Sequence, residues 1–201
     1  MMAETEFSTQ LEDWLTSDGP KTLGDLSEVF AEKSFAVTIL LLMFVPALPI
    51  PTGGITHVFE VITVLIALEM VFGRRTIWLP ARFRRRELGS LMTGKALPFI
   101  VKRVRFFERH SKPRFARLFS NRLFRSLLAI VIIGFTAGAV IAPPFSGLDT
   151  LPALGVVIIC LSIILEDVLV LVIGLIIGAA GIALIITIGA ALARFLRNLI
   201  G

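Results

Sequence analysis

Two apolar runs flank a proline- and glycine-rich break between Phe35 and Gly73, and no other feature of the sequence constrains the fold as strongly. Within nine residues the break contains Pro46, Pro49, Pro51, Gly53 and Gly54. The first run, Phe35 to Pro51, would form a helix of about 25 Å, shorter than the roughly 30 Å hydrocarbon core of a bilayer. Backbone groups freed by proline are tolerated at membrane depth only where protein or water covers them. The pattern therefore predicts a re-entrant half-helix rather than a straight crossing.

The composition places these runs in a membrane. The chain has 201 residues, is 56% hydrophobic and has a mean hydropathy of +0.89. Water-soluble domains contain about 45–50% apolar residues, and a soluble fold of this size could not cover the excess apolar surface. The sequence therefore predicts an all-α integral membrane protein with a single membrane domain.

A second proline-broken hairpin follows 93 residues after the first. At this shift Ala36 matches Ala129, Ile39 matches Ile132, and Pro51 matches Pro144. The recurring order of apolar run, proline break, glycine and apolar run predicts a structural duplication. The two breaks are expected to meet near the middle of the protein. Paired segments interrupted by glycine and proline are a sequence pointer to a transporter site.

The predicted organisation has two parts. Residues 1–33 form a polar N-terminal segment, in which the spacing of apolar residues from Thr22 to Glu32 predicts an amphipathic helix. Residues 34–201 form the membrane domain. This domain divides into a hairpin at 35–73, a basic connector at 74–126, a second hairpin at 127–165 and a C-terminal transmembrane helix at 168–193.

The basic residues are concentrated in the connector. Sixteen of the 20 lysines and arginines lie between Arg74 and Arg125. Under the positive-inside rule, such a block between two apolar hairpins is cytoplasmic. The interleaved apolar residues predict amphipathic helices at the headgroups of anionic lipids. Stacking of its phenylalanines on nucleobases is not favoured, because no RNA-binding module surrounds them, and no nucleic-acid partner is expected.

The C-terminus tests this topology. Arg194 and Arg197 should also be cytoplasmic under the same rule, which requires an even number of crossings after Leu127. Three apolar runs follow Leu127, so re-entry of the proline-broken arms is the favoured interpretation.

Four ionisable side chains form the predicted substrate or ion site: Glu69, Glu166, Asp167 and His57. Glu60 is a further acid within an apolar run. A charge at bilayer depth costs on the order of 2.5 kcal/mol or more, so such residues usually face a cavity or a partner. The alternative is that Glu69, Glu166 and Asp167 lie at helix ends, solvated or paired with Arg74 or Arg75. His57 could relay protons or simply form a hydrogen bond at a helix start.

Enzymatic activity, a cofactor and a bound metal are not predicted. The sequence has no paired His or Cys ligands, no glycine-rich phosphate loop and no G-x-S-x-G elbow. The single cysteine, Cys160, lies in an apolar run, where it is expected to be a small buried hydrophobic residue.

Several motifs in this order resemble those of the ExoD-type exopolysaccharide-synthesis membrane proteins of bacteria. The order is LPIPTGG, FGRRTIWLP, ERHSKPR and LPALG. The residues that match the family motifs are Pro49, Pro51, Trp78, Pro80, Pro113, Arg114 and Pro152. The sequence departs at Glu69, where glutamine is usual, and at Glu166 to Val168, where an Arg-Asp-Gly turn is usual and only Asp167 is kept.

The resemblance implies a multi-pass protein of the bacterial inner membrane that is associated with exopolysaccharide production and with tolerance of alkaline conditions. Two functions are compatible with the residues. The first is a small transporter or lipid-carrier translocator with a repeat-built site at the proline breaks. The second is a non-catalytic scaffold that organises a polysaccharide-synthesis complex through its basic face. The expected partners are anionic membrane lipids at Arg74 to Arg125, polysaccharide-synthesis proteins and a second copy of the chain.

Overall fold

In a computed structural model of the protein, eight helices form within the residues that the structure describes. These residues are 7–19, 21, 22, 24, 25, 33–48, 55–74, 77, 78, 94, 97–110, 115–142 and 146–200. The helices are α1 (Phe7–Thr16), α2 (Ser34–Phe44), α3 (Ile55–Val71), α4 (Leu97–His110), α5 (Ala116–Ser120), α6 (Arg122–Ile141), α7 (Thr150–Leu165) and α8 (Val168–Ile200). The all-helical fold class is confirmed for this part of the chain.

Five helices form the bundle, and α2 is at its centre. Every residue of α2 from Ser34 to Met43 is buried. Helix α2 packs against α3 and α7, α3 packs along α6, and α7 packs along α8. Apolar residues of α1 and α4, including Leu11, Trp14 and Leu97, join the same buried core. A short, uniformly apolar helix can be buried on all sides in this way only when neighbours surround it.

Hydrogen bonds fix the relative directions of the helices. Lys33 Nζ donates to Ile164 O at 2.9 Å, so the start of α2 meets the end of α7. Ser126 Oγ donates to Val71 O at 3.1 Å, so the start of α6 meets the end of α3. We call the end of the bundle where these contacts lie the basic end, because Lys33 and several arginines of α6 and its approach lie there.

The described flanks of both proline breaks lie at the opposite end, which we call the break end. The described flanks of the breaks, residues 45–48 and 146–149, follow α2 and precede α7 at that end. Residues 49–54 and 143–145 fall outside the described residues. The expectation that the breaks meet near the middle of the protein therefore rests on residues outside those described and stays a prediction.

In the first half of α3, polar residues face the inside of the bundle and apolar residues face the outside. Thr56, Glu60 and Thr63 are buried, whereas Val58 and Val61 on other faces of the helix are exposed. This arrangement is the reverse of a helix on a water-soluble protein, and it suits contact with lipid. Helix α6, over Arg122–Ile141, and Val168–Ala191 of α8 are each long and apolar enough to cross a membrane. These features support association with a membrane.

Glycines allow α7 and α8 to approach to backbone contact. A Cβ atom on Gly155 would lie 2.5 Å from Gly178 Cα and 3.0 Å from Gly174 O. One turn further, a Cβ atom on Gly181 would lie 2.5 Å from Pro152 Cδ. Small residues at intervals of about one turn are the usual means by which helices pack closely in lipid.

Helix α8 runs in the same direction as α6 and continues past the bundle. Its 33 residues form one helix, about 50 Å long at 1.5 Å per residue. Gly178 faces the ring of Phe135, and Gly138 faces Ile182, so the two helices are parallel. Arg194 and Arg197 consequently lie beyond the break end. They lie at the opposite end from Arg122 and Arg125 at the start of α6, because α6, α7 and α8 each run the length of the bundle.

The basic connector is described in part, and its helix α4 packs against α1. Arg105 forms an ion pair with Glu12, and Val101 and Val104 are buried. The rings of Phe99 and Phe44 lie 5.8 Å apart, so the start of α4 reaches the end of α2. The described part of the connector is therefore not confined to the basic end.

The amphipathic helix predicted from Thr22 has a well-formed start. Thr22 Oγ1 accepts a hydrogen bond from Asp25 N at 3.1 Å, and Asp25 Oδ2 accepts one from Thr22 N at 3.2 Å. This reciprocal pair is a capping box, which marks a helix N-terminus. Residues 26–32 of the predicted helix fall outside the described residues.

Candidate ion site

Glu69 lies in the last turn of α3, at the basic end. Its Oε2 atom accepts a hydrogen bond from Trp78 N at 2.7 Å and lies 3.7 Å from Arg74 Nη1. Glu69 thus holds the chain that leaves α3. This position corresponds to the alternative in which the acid lies at a helix end and pairs with Arg74.

Glu166 and Asp167 form the turn between α7 and α8, also at the basic end. Glu166 has a left-handed backbone conformation, with φ 54°, and its carboxylate lies 3.3 Å from Lys33 Nζ. Asp167 is almost completely buried and its Oδ1 atom accepts a hydrogen bond from Leu169 N at 2.8 Å. Asp167 therefore caps the start of α8, as acids do at helix N-termini.

His57 lies at the start of α3, at the break end, away from these three acids. The four predicted site residues are thus divided between the two ends of the bundle. His57 Nδ1 lies 2.7 Å from Oε2 of Glu60, one turn further along α3. The structure therefore pairs His57 with an acid that the sequence analysis noted without assigning it to the site.

Glu60 is the acid that the fold isolates from solvent. Its side chain has no exposed surface. Oε2 contacts His57, but Oε1 has no hydrogen-bond partner among the described residues. A buried polar atom without a partner costs about 1–3 kcal/mol, and a charged one costs more. A fold keeps such a group only when something else compensates it.

Buried threonine hydroxyls accompany Glu60. Thr38 of α2, Thr63 of α3 and Thr136 of α6 are each fully buried, and their Oγ1 atoms have no partner among the described residues. A helical threonine can donate to the carbonyl four residues before it, as Thr187 does to Ala183 O at 2.7 Å. The three buried threonines leave this bond unmade.

The antiparallel packing of α3 and α6 brings two of these hydroxyls to the height of Glu60. Ser126 of α6 donates a hydrogen bond to Val71 O of α3. Because the two helices are antiparallel, the residue ten positions after Ser126, which is Thr136, lies level with the residue ten positions before Val71, which is Val61. Thr63 is three residues after Glu60, on the same face of α3. Glu60, Thr63 and Thr136 therefore lie within about 5 Å of one another in height, about 15 Å from the basic end at 1.5 Å per residue.

A signal for Glu60 is present in the sequence. Thr56, Glu60 and Thr63 are spaced by four and three residues, which aligns them on one helical face of an otherwise apolar run. His57 lies within hydrogen-bonding range of Glu60 by its spacing of three. The position of the acids in the repeat indicates Glu69 and Glu166, whereas this shared helical face indicates Glu60.

The family-motif residues have mixed positions. Trp78 donates its backbone N–H to Glu69, and Pro152 lies in the first turn of α7 against Gly181. Five others fall outside the described residues: Pro49, Pro51, Pro80, Pro113 and Arg114. Cys160 is buried in α7, as expected.

Comparison with known proteins places this architecture in a family. The family model described as "Exopolysaccharide synthesis, ExoD" matches residues 7–187. The chain is 28% identical over 157 residues to "Uncharacterized protein slr1875" of Synechocystis sp., with 75% of this chain and 72% of that protein covered. It is 29% identical over 153 residues to "Protein ExoD" of Rhizobium meliloti, with 73% of this chain and 61% of that protein covered. No solved structure matches the chain significantly.

Proposed function

Because the chain belongs to the ExoD family of exopolysaccharide-synthesis proteins, we propose that it is a multi-pass protein of the bacterial inner membrane that works as a small transporter or lipid-carrier translocator. The observation that carries this proposal is Glu60, a fully buried carboxyl group paired with His57 and otherwise surrounded by a helix bundle. Ionisable residues inside membrane bundles are rare, and they mark ion, proton or substrate pathways.

The proposed site differs from the one that sequence alone suggested. It is centred on the His57–Glu60 pair, and it uses the inward-facing side of α3 that also carries Thr63. Glu69, Glu166 and Asp167 are instead engaged at helix ends, with Trp78 N, Lys33 and Leu169 N respectively. Groups already satisfied by capping and ion pairing are less suited to bind a passing substrate.

Two contacts support the predicted duplication. Lys33 Nζ donates to Ile164 O, and Ser126 Oγ donates to Val71 O. Ninety-three residues separate Lys33 from Ser126, and the same number separates Val71 from Ile164. The two bonds thus join equivalent positions of two hairpins, each linking the start of one hairpin to the end of the other. This pattern fits parallel repeats related by an axis along the membrane normal, a known plan of secondary transporters.

Reconstitution of the purified protein in liposomes tests the proposal. Uptake of protons, monovalent cations and a polyprenyl-phosphate lipid is measured separately, in vesicles with protein and in protein-free vesicles of the same lipid. The proposal expects protein-dependent flux of at least one of these. Absence of flux for all three, with protein shown to be inserted in both orientations, would contradict it.

A scaffold role is the second candidate, and helix α4 favours it. Its Lys102 and Phe106 are exposed, while Val101 and Val104 pack toward the core. Such a basic, amphipathic surface suits a partner protein or anionic headgroups. Cross-linking in native membranes should recover polysaccharide-synthesis proteins under this alternative. Recovery of partners together with an absence of flux would favour the scaffold over the transporter.

A further inference from the structure

One oxygen of the Glu60 carboxyl group has a hydrogen-bond partner, and the other has none among the described residues. Oε2 lies 2.7 Å from His57 Nδ1, and Oε1 has no partner among the described residues. Whether the shared proton is on His57 or on Oε2, Oε1 still has no hydrogen-bond partner among the described residues. A proton on Oε1 itself would be a donor without an acceptor among those residues. Protonation alone therefore does not satisfy this oxygen.

The nearby hydroxyls share the same deficiency. Thr63 Oγ1 and Thr136 Oγ1 are buried and have no partner among the described residues. Buried polar atoms are hydrogen-bonded in the great majority of cases, and an exception calls for an explanation, of which a bound ion is one. Ser162, also buried, donates to Ile159 O at 2.7 Å, whereas Ser34 and Thr38 of α2 are, like Thr63 and Thr136, without a partner among the described residues.

The three oxygens come from two helices that pack along each other. Glu60 and Thr63 share the inner face of α3, and the Ser126–Val71 bond sets the register that puts Thr136 at their level. None of the three oxygens satisfies another by a hydrogen bond. Three buried oxygens at a similar depth, none of them hydrogen-bonded to another, are available as ligands for a cation.

The chemistry of these oxygens selects the class of ion. Carboxylate and hydroxyl oxygens are hard ligands, suited to alkali and alkaline-earth cations rather than to soft transition metals. Within the described residues, no group of three or more His, Cys, Asp or Glu side chains could hold a metal ion. One carboxylate with neutral hydroxyls balances a single positive charge.

We infer that Glu60 Oε1, Thr63 Oγ1 and Thr136 Oγ1 are ligands of a monovalent alkali-cation site, with Na⁺ as the ion, between α3 and α6. This inference rests on the proposed transport function, for which Na⁺ would be the coupling ion. His57 acts as a positioning residue, because its hydrogen bond to Oε2 holds the carboxyl group in one orientation.

Equilibrium binding of radioactive Na⁺ to the purified full-length protein in detergent tests the inference. Ionic strength is held constant with choline, and K⁺ serves as a competitor. We expect saturable binding of one Na⁺ per chain. Thr136→Val and Thr63→Val remove a hydroxyl at nearly constant volume, and each should weaken the affinity by about tenfold. Glu60→Gln should abolish saturable binding.

Thr187→Val is the matched control, because Thr187 is exposed on α8 and bonds its own helix. It should bind Na⁺ as the wild type does. Absence of saturable Na⁺ binding to the wild type would overturn the inference, as would equal affinity of wild type and the two buried threonine variants. If Glu60→Gln fails to fold, the threonine variants still decide the question.

Flux measurements separate this inference from the proposed function. Transport that continues unchanged when choline replaces Na⁺ would overturn the sodium site and leave the transport function standing. Saturable Na⁺ binding without flux of any candidate substrate would support the site and contradict transport. Sodium-dependent flux that is lost in Thr136→Val would support both.

Discussion

Substitution of Gly155 by alanine should force α7 and α8 apart. The new Cβ atom would lie 2.5 Å from Gly178 Cα, 2.7 Å from Gly178 N and 3.0 Å from Gly174 O. Carbon atoms are in favourable contact at about 3.5–4.0 Å, so the helices must separate by about 1 Å. All three obstructing atoms belong to backbone and cannot rotate away. Overpacking of this kind costs about 1–3 kcal/mol, against a gain in helix propensity of about 1 kcal/mol for replacing glycine.

Gly134→Ala is the matched control for this substitution. Gly134 lies within α6, and nothing lies within 4 Å of the position of its Cβ atom. It receives the same gain in propensity without the clash, so the difference between the two variants isolates the overpacking term, about 1–3 kcal/mol. Unfolding in mixed detergent and SDS measures both. Equal stability of the two variants, or a more stable Gly155→Ala, would refute the backbone contact between α7 and α8.

Three further predictions test other parts of the structure. Glu166→Gly should raise the free energy of unfolding by about 1 kcal/mol, because glycine adopts the left-handed backbone without strain and the part-exposed ion pair with Lys33 contributes little. The control, Glu166→Gln, keeps the backbone strain and should not raise the free energy of unfolding. An equal increase for both variants would count against this explanation. Ser126→Ala should cost about 1 kcal/mol by leaving a carbonyl of α3 without its side-chain donor, measured by the same unfolding assay, and no loss would contradict the bond. A cysteine at Ser90 in a Cys160→Ala background should resist membrane-impermeant thiol reagents in intact cells, because the connector is predicted to be cytoplasmic; ready labelling from outside would refute that orientation.

The broad architecture could be predicted because apolar runs and helix breakers act locally. Proline removes a backbone donor and glycine permits unusual backbone angles, so the positions where α2 ends and α3 and α7 begin follow from the sequence to within a few residues. The extent of α8 could not be predicted in the same way. Its final residues, which include Arg194 and Arg197, contain no proline or glycine to end the helix, so the helix continues to Ile200 rather than ending at the predicted residue 193.

The location of the acids could not be predicted, because hydropathy indicates neither how deeply a side chain is buried in the bundle nor which groups it contacts. Glu69 and Glu60 are nine residues apart on the same helix, and each is flanked by apolar residues. One binds Trp78 N at the end of α3, and the other is buried beside α6. The difference depends on which face of α3 meets α6. That pairing is between segments distant in the chain, and the bond between Ser126 and Val71 that fixes it joins residues 55 positions apart.

A comparison of Glu60 with Glu69 gives the most direct test of the central claim, which is that the buried carboxyl group of Glu60 forms the transport site. Flux in proteoliposomes and melting temperature in detergent are measured for Glu60→Gln and Glu69→Gln, which make the same chemical change on one helix. The account predicts that Glu60→Gln abolishes flux without lowering the melting temperature, because the substitution removes a buried charge whose Oε1 has no partner among the described residues. Glu69→Gln should keep its flux and lose some stability with its ion pair to Arg74. Full flux in Glu60→Gln, or loss of flux in Glu69→Gln alone, would contradict the account.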